Sequence, residues 1–155
     1  LSENGIGVVH DTTVHDYPSY NGSYDLARQT MNTRLTENPG ILLVLDLHRD
    51  AAEAPGGGQM RPLAAGRARL MAVMGAGFEN FQENLSLALK LSAQLERQWP
   101  GITRPLQLRS SRFNQDLHPA ALLVEVGSAG NSHTEAIAAA EVLAQAILSL
   151  ARGSA

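Results

Sequence analysis

A chain of 155 residues is long enough for one domain with a single buried core. Its 44% hydrophobic and 17% charged residues, with a net charge of −3 and acids and bases interspersed, are ordinary for a soluble globular protein and give no reason to expect nucleic acid or an anionic membrane as the main partner. The absence of cysteine excludes disulfides, thiol catalysis and thiolate zinc sites, and no apolar run approaches the roughly 18–20 residues of a membrane span. Residue 1 is leucine and no signal-peptide pattern precedes the first apolar run, so the chain reads as a processed or excised piece.

The apolar run IGVVH (6–10) predicts a short strand ending in His10. HDTTVHDYPSYNG (10–22), rich in Asp, Thr, Tyr, Pro and Gly, predicts a loop. Ser23 is a candidate N-cap for a helix to about Glu37, with Tyr24, Ala27, Met31 and Leu35 along one face, and Asn38-Pro39-Gly40 stops it. ILLVLDL (41–47) is apolar on both faces apart from Asp46, which suits a central parallel strand covered on both sides. Residues 49–65, with three consecutive glycines and two prolines, predict a mobile excursion of the kind that borders a site. Residues 67–74 predict another strand, running into Gly75-Ala76-Gly77. A helix from about Asn80 to Gln98 should bury Phe81, Leu85, Ala88, Leu95 and Trp99, with Leu91 beside them.

Leu106 to Arg109 reads as a short edge strand, RFNQDLHP (112–119) as a loop, and ALLVEV (121–126) as another two-face apolar strand. The last helix, from Asn131 to Ala151, opens on Ser132 and Glu135 as an S-x-x-E capping box, and Ala136, Ala140, Leu143, Ile147 and Leu150 give its apolar face. Strands alternating with helices predict an α/β fold: a mostly parallel sheet with helices on both faces, without internal repeats or a second domain.

Sites on such sheets form beyond the carboxyl ends of the strands. His10 ends the first predicted strand, Asp46-Leu47-His48-Arg49-Asp50 ends the second, and Glu125 lies near the end of the last. If those strands are neighbours, His48 and Glu125 converge on one crevice, where a histidine can ligate zinc and a glutamate can take a proton from water. A strand-end histidine can equally be a hydrogen-bonded structural residue. Glu125 is harder to assign to structure, because a carboxylate within Leu-Leu-Val-Glu-Val-Gly is costly to bury unless paired or functional. Gly75-Ala76-Gly77 imitates a dinucleotide fingerprint, but Asn80 stands where its third small residue belongs, so a tight turn is the plainer reading. His118 and His133 read as surface residues.

The stretches VVHDTTVHDYPSYNGSY (8–24), LDLHRDAA (45–52), RARLMAVMG (67–75), ENLSLALKLSAQLE (83–96), PGITRPL (100–106) and RFNQDLHPAALLVEVGSAGNSHTEA (112–136) resemble, in order, blocks of the stage II sporulation protein P family. The resemblance implies a fold similar to the zinc N-acetylmuramoyl-L-alanine amidases. It implies cleavage of the amide between N-acetylmuramic acid and L-alanine in peptidoglycan, with endopeptidase activity on stem-peptide cross-links as a second capacity. It also implies action during forespore engulfment, outside the cytoplasm and tethered to the membrane, with partner proteins D and M of the same sporulation stage. His48, in a D-x-H-R-D motif, would be a zinc ligand, and Glu125, in an E-V-G motif, the catalytic carboxylate. Arg49 and Asn114 are candidates for holding substrate carboxylate or carbonyl groups, with an ion pair to Asp50 or Asp116 as the plainer role for Arg49.

The sequence departs from the family in lacking the upstream H-T-H segment that carries its first metal-binding histidine. Residues 1–152 are therefore expected to be the C-terminal portion of an amidase domain, with 153–155 a tail. The sheet edge next to 6–10 should be exposed, and zinc absent or weakly held, since His10 and His15 are not expected to substitute. His118 stands where a serine is usual. Two rivals remain: a peptidoglycan-binding module without catalysis, and a nucleotide-binding α/β protein.

Overall fold

The computed structural model describes residues 1–153, so that of the expected tail 153–155 the last two residues lie outside it. Six strands and three α-helices follow one another as α1 (Ser23–Glu37), β1 (Val44–Asp50), β2 (Leu63–Ala64), β3 (Arg67–Ala68), β4 (Leu70–Gly75), α2 (Phe81–Gln98), β5 (Gln107–Arg109), β6 (Ala121–Ser128) and α3 (His133–Gly153). A four-stranded sheet has the order β1-β6-β4-β5. β1 runs parallel to β6 and β4 parallel to β5, while β4 and β6 are antiparallel, so the sheet is mostly parallel, as expected.

The alternation of side chains along β6 divides the sheet into two unlike faces. Leu122, Val124 and Val126 point into the main core, where α2 and α3 supply Ala88, Leu91, Leu95, Ala139, Val142, Leu143 and Ala146. Leu123 points the other way, into a small cluster with Met71, Val73 and Phe113. α1 lies toward that second face, through Tyr24, and none of its residues is fully buried. The flanking of the sheet on both sides is thus realised unequally.

The helices start and stop close to where the sequence places them. In α3 the capping box forms in both directions: the Glu135 N–H donates to Ser132 Oγ at 3.2 Å and the Ser132 N–H to Glu135 Oε2 at 3.0 Å. The buried line of α3 is centred on Ala139, Val142 and Ala146, one step round from the expected stripe, whose Ala136, Ala140, Ile147 and Leu150 pack at its margin. Ser23 is the first helical residue of α1 rather than its cap. Gly22 occupies the cap position with φ 87°, and no side chain caps that end. By length and composition α3 is compatible with crossing a membrane, contrary to the expectation from apolar runs alone, but its buried side is committed to the sheet and α2.

Three strand expectations are corrected. Residues 6–10 form no strand, and Val8 and Val9 are about half exposed, at 50% and 49%. Apolar character alone cannot make a strand whose N–H and C=O groups meet no partner. The strand expected at 41–47 begins at Val44, where the N–H first reaches the Ala120 carbonyl (2.9 Å), and it is an edge strand. Its outer edge faces no strand among the described residues, so an exposed edge is present, at β1. The strand expected at 67–74 breaks at Arg69, whose N–H turns to Pro62 and whose carbonyl takes the Gly127 N–H. β3 consequently closes a small hairpin with β2 while β4 continues in the main sheet.

Candidate active site

β1 and β6 are in register so that His48 lies directly beside Glu125. Adjacent strands run about 4.8 Å apart, so the two side chains leave the same face as close neighbours. The period of two puts Asp46 on that face as well, one pleat before His48. There the His48 ring nitrogen Nε2 lies 2.9 Å from Asp46 Oδ1. A carboxylate accepts this hydrogen bond, so Nε2 carries the proton and Nδ1 is left as the nitrogen able to ligate a metal. Asp46 is the chief cause that raises the His48 pKa above its ordinary 6.5, with Glu125 adding to it and burial opposing.

Glu125 differs in kind. Burial raises its pKa above the usual carboxylate value, with the His48 charge opposing. Its Oε2 is a buried oxygen without any hydrogen-bond partner. Such an atom costs free energy unless something reacts with it or binds to it.

Tyr24, at the start of α1, covers the pair. Its ring lies parallel to that of His48 with centroids 6.5 Å apart, and tilted against Phe113 at 5.7 Å. Burial, reinforced by Tyr20, Asp46 and Glu125, pushes its phenol up to about 12, so it is a donor at every physiological pH. Tyr24 also lines an open depression of about 420 Å³ together with Asp25, Arg28, Ser111, Arg112, Phe113 and Asn114. Neither His48 nor Glu125 lines it.

The other two expected site residues make contacts within the fold. Arg49 donates through Nη2 to the carbonyls of Ser128 (2.7 Å) and Asn131, which fastens β1 to the β6–α3 turn. It makes neither expected ion pair, because Asp50 is bonded to Arg104 at 2.7 Å and Asp116 takes both Arg28 nitrogens at 2.9 and 2.8 Å. Asn114 is buried, with its amide donating to the Tyr24 carbonyl at 2.8 Å and its oxygen facing Arg28. It thereby sets the position of Tyr24.

His118 is half-buried rather than a surface residue. Its Nδ1 accepts the Ala120 N–H at 3.1 Å and its Nε2 donates to the Ile41 carbonyl at 3.2 Å, pinning the approach to β1 against the approach to β6. His15 bonds Thr30 at 2.9 Å on α1. Gly75 has a packing role: a side chain there would run into the Ser111 carbonyl, which passes directly over it. Beside it Gln115, fully buried, takes the Gly75 N–H and donates to the Val73 carbonyl, both at 2.8 Å, completing the end of β4.

The excursion at 49–65 is tied down at its far end. The Met60 carbonyl accepts from Ser128 Oγ at 2.6 Å, and Arg61 pairs with Glu135.

Residues 1–148 match the family stage II sporulation protein P. This chain belongs to that family. It is 30% identical over 162 residues to the stage II sporulation protein P of Bacillus subtilis (strain 168), an alignment that takes in 94% of this chain and 40% of that protein. The chain thus spans less than half the length of the curated relative it matches.

Among the described residues there is no group of three His, Cys, Asp or Glu that could hold a metal ion. His48, oriented by Asp46, fits one imidazole ligand with its supporting carboxylate, and the described residues do not complete a centre.

Proposed function

We propose that this chain is part of a peptidoglycan hydrolase acting in forespore engulfment, which splits the amide between N-acetylmuramic acid and L-alanine. The observation that carries this reading is the unpartnered, buried Glu125 oxygen beside a histidine held in one tautomer, on the sheet face left free by the core. Glu125 takes the proton of the attacking water and delivers it to the leaving amine, a task that suits a carboxylate with a raised pKa. Tyr24 shields the pair from bulk water and offers a phenolic hydrogen bond next to it. We further propose zinc as the cofactor, held through His48 with ligands that the described residues do not supply. When bound, zinc would polarise the carbonyl and acidify water. Endopeptidase cleavage of cross-links, a position outside the cytoplasm with a membrane tether, and association with sporulation proteins D and M belong to the same proposal and rest on the family.

The test is Glu125→Gln in the full-length protein. Release of free stem peptide from purified peptidoglycan, followed by chromatography, should fall by at least about 100-fold, the scale of lost general acid–base catalysis. Bound zinc and circular dichroism should be unchanged. Near-normal release overturns the assignment. The incomplete ligand set favours a second reading, a peptidoglycan-binding module that does not cut. That reading is supported instead if glycan pull-down survives both chelation and Glu125→Gln while no product ever forms.

A further inference from the structure

The arginines of this chain are almost all occupied. Arg28 is held by Asp116, Arg34 by Asp11 and Glu37, Arg61 by Glu135 and Arg104 by Asp50. Arg49, Arg67 and Arg69 donate to backbone carbonyls. Arg97, Arg109 and Arg152 donate to side-chain amides. Arg112 alone donates no hydrogen bond among the described residues, and it is exposed. Asp116 lies close enough to feel its charge, yet both Asp116 oxygens are turned to Arg28.

The place of this free cation is specific. Arg112 lines the depression whose wall includes Tyr24 and Phe113, and Tyr24 in turn stacks on His48. It also belongs to a second depression of about 360 Å³, lined as well by Gly77, Phe78, Glu79, Asn80 and Asp116. The backbone that presents it is fixed: the Ser111–Arg112 chain lies packed on Gly75, and Phe113 and Asn114 follow with φ of 51° and 57°. A guanidinium with no hydrogen-bond partner, carried on closely packed backbone and shared by two depressions, one of which Tyr24 also lines, is suited to bidentate recognition of a carboxylate.

We propose that Arg112 is a specificity-determining residue that binds a free carboxylate of the stem peptide while the scissile amide lies at Glu125. This inference rests on the peptidoglycan reading above. It adds Arg112 to Arg49 and Asn114, the two residues expected from the sequence to hold substrate groups.

Two measurements separate the subsite from the reaction. In the first, the full-length protein carrying Glu125→Gln, in which turnover is slowed by about 100-fold or more, is titrated calorimetrically with a soluble muramyl peptide whose carboxylates are free and with the same peptide bearing carboxamides. The carboxylate form should bind about tenfold more tightly, and Arg112→Gln should abolish that preference, as expected for a hydrogen-bonded charge pair. In the second, kcat/KM of the Glu125-containing protein on the two peptides should show Arg112→Gln lowering the value for the carboxylate form while sparing the carboxamide form. Equal binding of the two peptides overturns the subsite, as does an equal loss on both when Arg112 is changed. If binding discriminates as stated but neither peptide is ever cut, the subsite stands and the hydrolase reading falls. Arg112 makes no bond that the fold needs, so the variant should melt with the parent.

Discussion

Glu125→Gln also asks whether this carboxylate is retained at the expense of stability. Its Oε2 is buried without a partner, and burial is the first cause of its raised pKa, with Asp50 and Asp46 adding to it and His48 and Arg104 opposing. A carboxyl with a raised folded-state pKa binds its proton more tightly in the native chain than in the unfolded one. Stability therefore holds below the ordinary value of 4.5 and is lost as pH rises through the folded value. The unsatisfied oxygen costs a protonated Glu and a Gln alike; what differs is the penalty of ionising the carboxyl there, which the half-exposed position limits to about 1 kcal/mol. In a chain of this size that corresponds to about 2–4 °C in Tm. Gln keeps the shape and never ionises. Melting followed by calorimetry in the presence of chelator should give similar Tm values for parent and variant at about pH 4, and a variant about 2–4 °C higher at about pH 8. A variant that melts below the parent at the higher pH, or a difference that ignores pH, would refute the account of Glu125 as a strained, functional carboxylate.

Four further outcomes follow from named contacts. Asp46→Asn should bring the His48 pKa down from its raised value toward 6.5, read from the imidazole proton shifts in an NMR titration; an unmoved midpoint means that the Asp46 bond is not the cause. His48→Ala in the full-length protein should reduce bound zinc and peptidoglycan cleavage together, and stoichiometric zinc in that variant removes His48 from the ligand set. The 155-residue chain itself, dialysed against a mild chelator, should retain well under one zinc per molecule by elemental analysis, because water must replace missing ligands. Gln115→Ala should lower stability by about 2–4 kcal/mol in urea denaturation, since it leaves the buried Gly75 N–H and Val73 carbonyl without partners.

The sequence made local structure legible where one signal dominates. The capping box at Ser132 and Glu135 is a reciprocal pair with few alternatives, and it forms. The apolar run before Glu125 marks the most buried strand, and β6 is flanked by strands on both sides. The failures share one cause. IGVVH and ILLVLDL have the composition of strands, but whether a strand forms, and whether it is central, depends on neighbours that no local window contains. For the site, the D-x-H spacing already places Asp46 and His48 on one face of a strand, so their pairing was available from the period of two. Tyr24 was hidden because its role depends on Asn114 gripping its carbonyl from 90 residues away. Arg112 was hidden for a different reason: its distinction is the lack of a partner, which shows only when every other arginine's partner is known.

The two members of the pair are held with unequal firmness. Glu125 sits on β6, which has a paired strand on each side and sends Val124 and Val126 into the main core, so its backbone has little freedom. His48 sits on β1, an edge strand with β6 on one side only and a register shift just beyond it, between His48 and Asp50. Its ring is steadied by Asp46 on the same strand and by Tyr24, whose helix has no fully buried residue. Local opening draws on the least buried elements first, so movement at this site belongs to the histidine and the tyrosine rather than to the glutamate. The open edge of β1 lies on the histidine's side of the site. Any strand or chain that pairs there acts on His48 directly, and on Glu125 only through it.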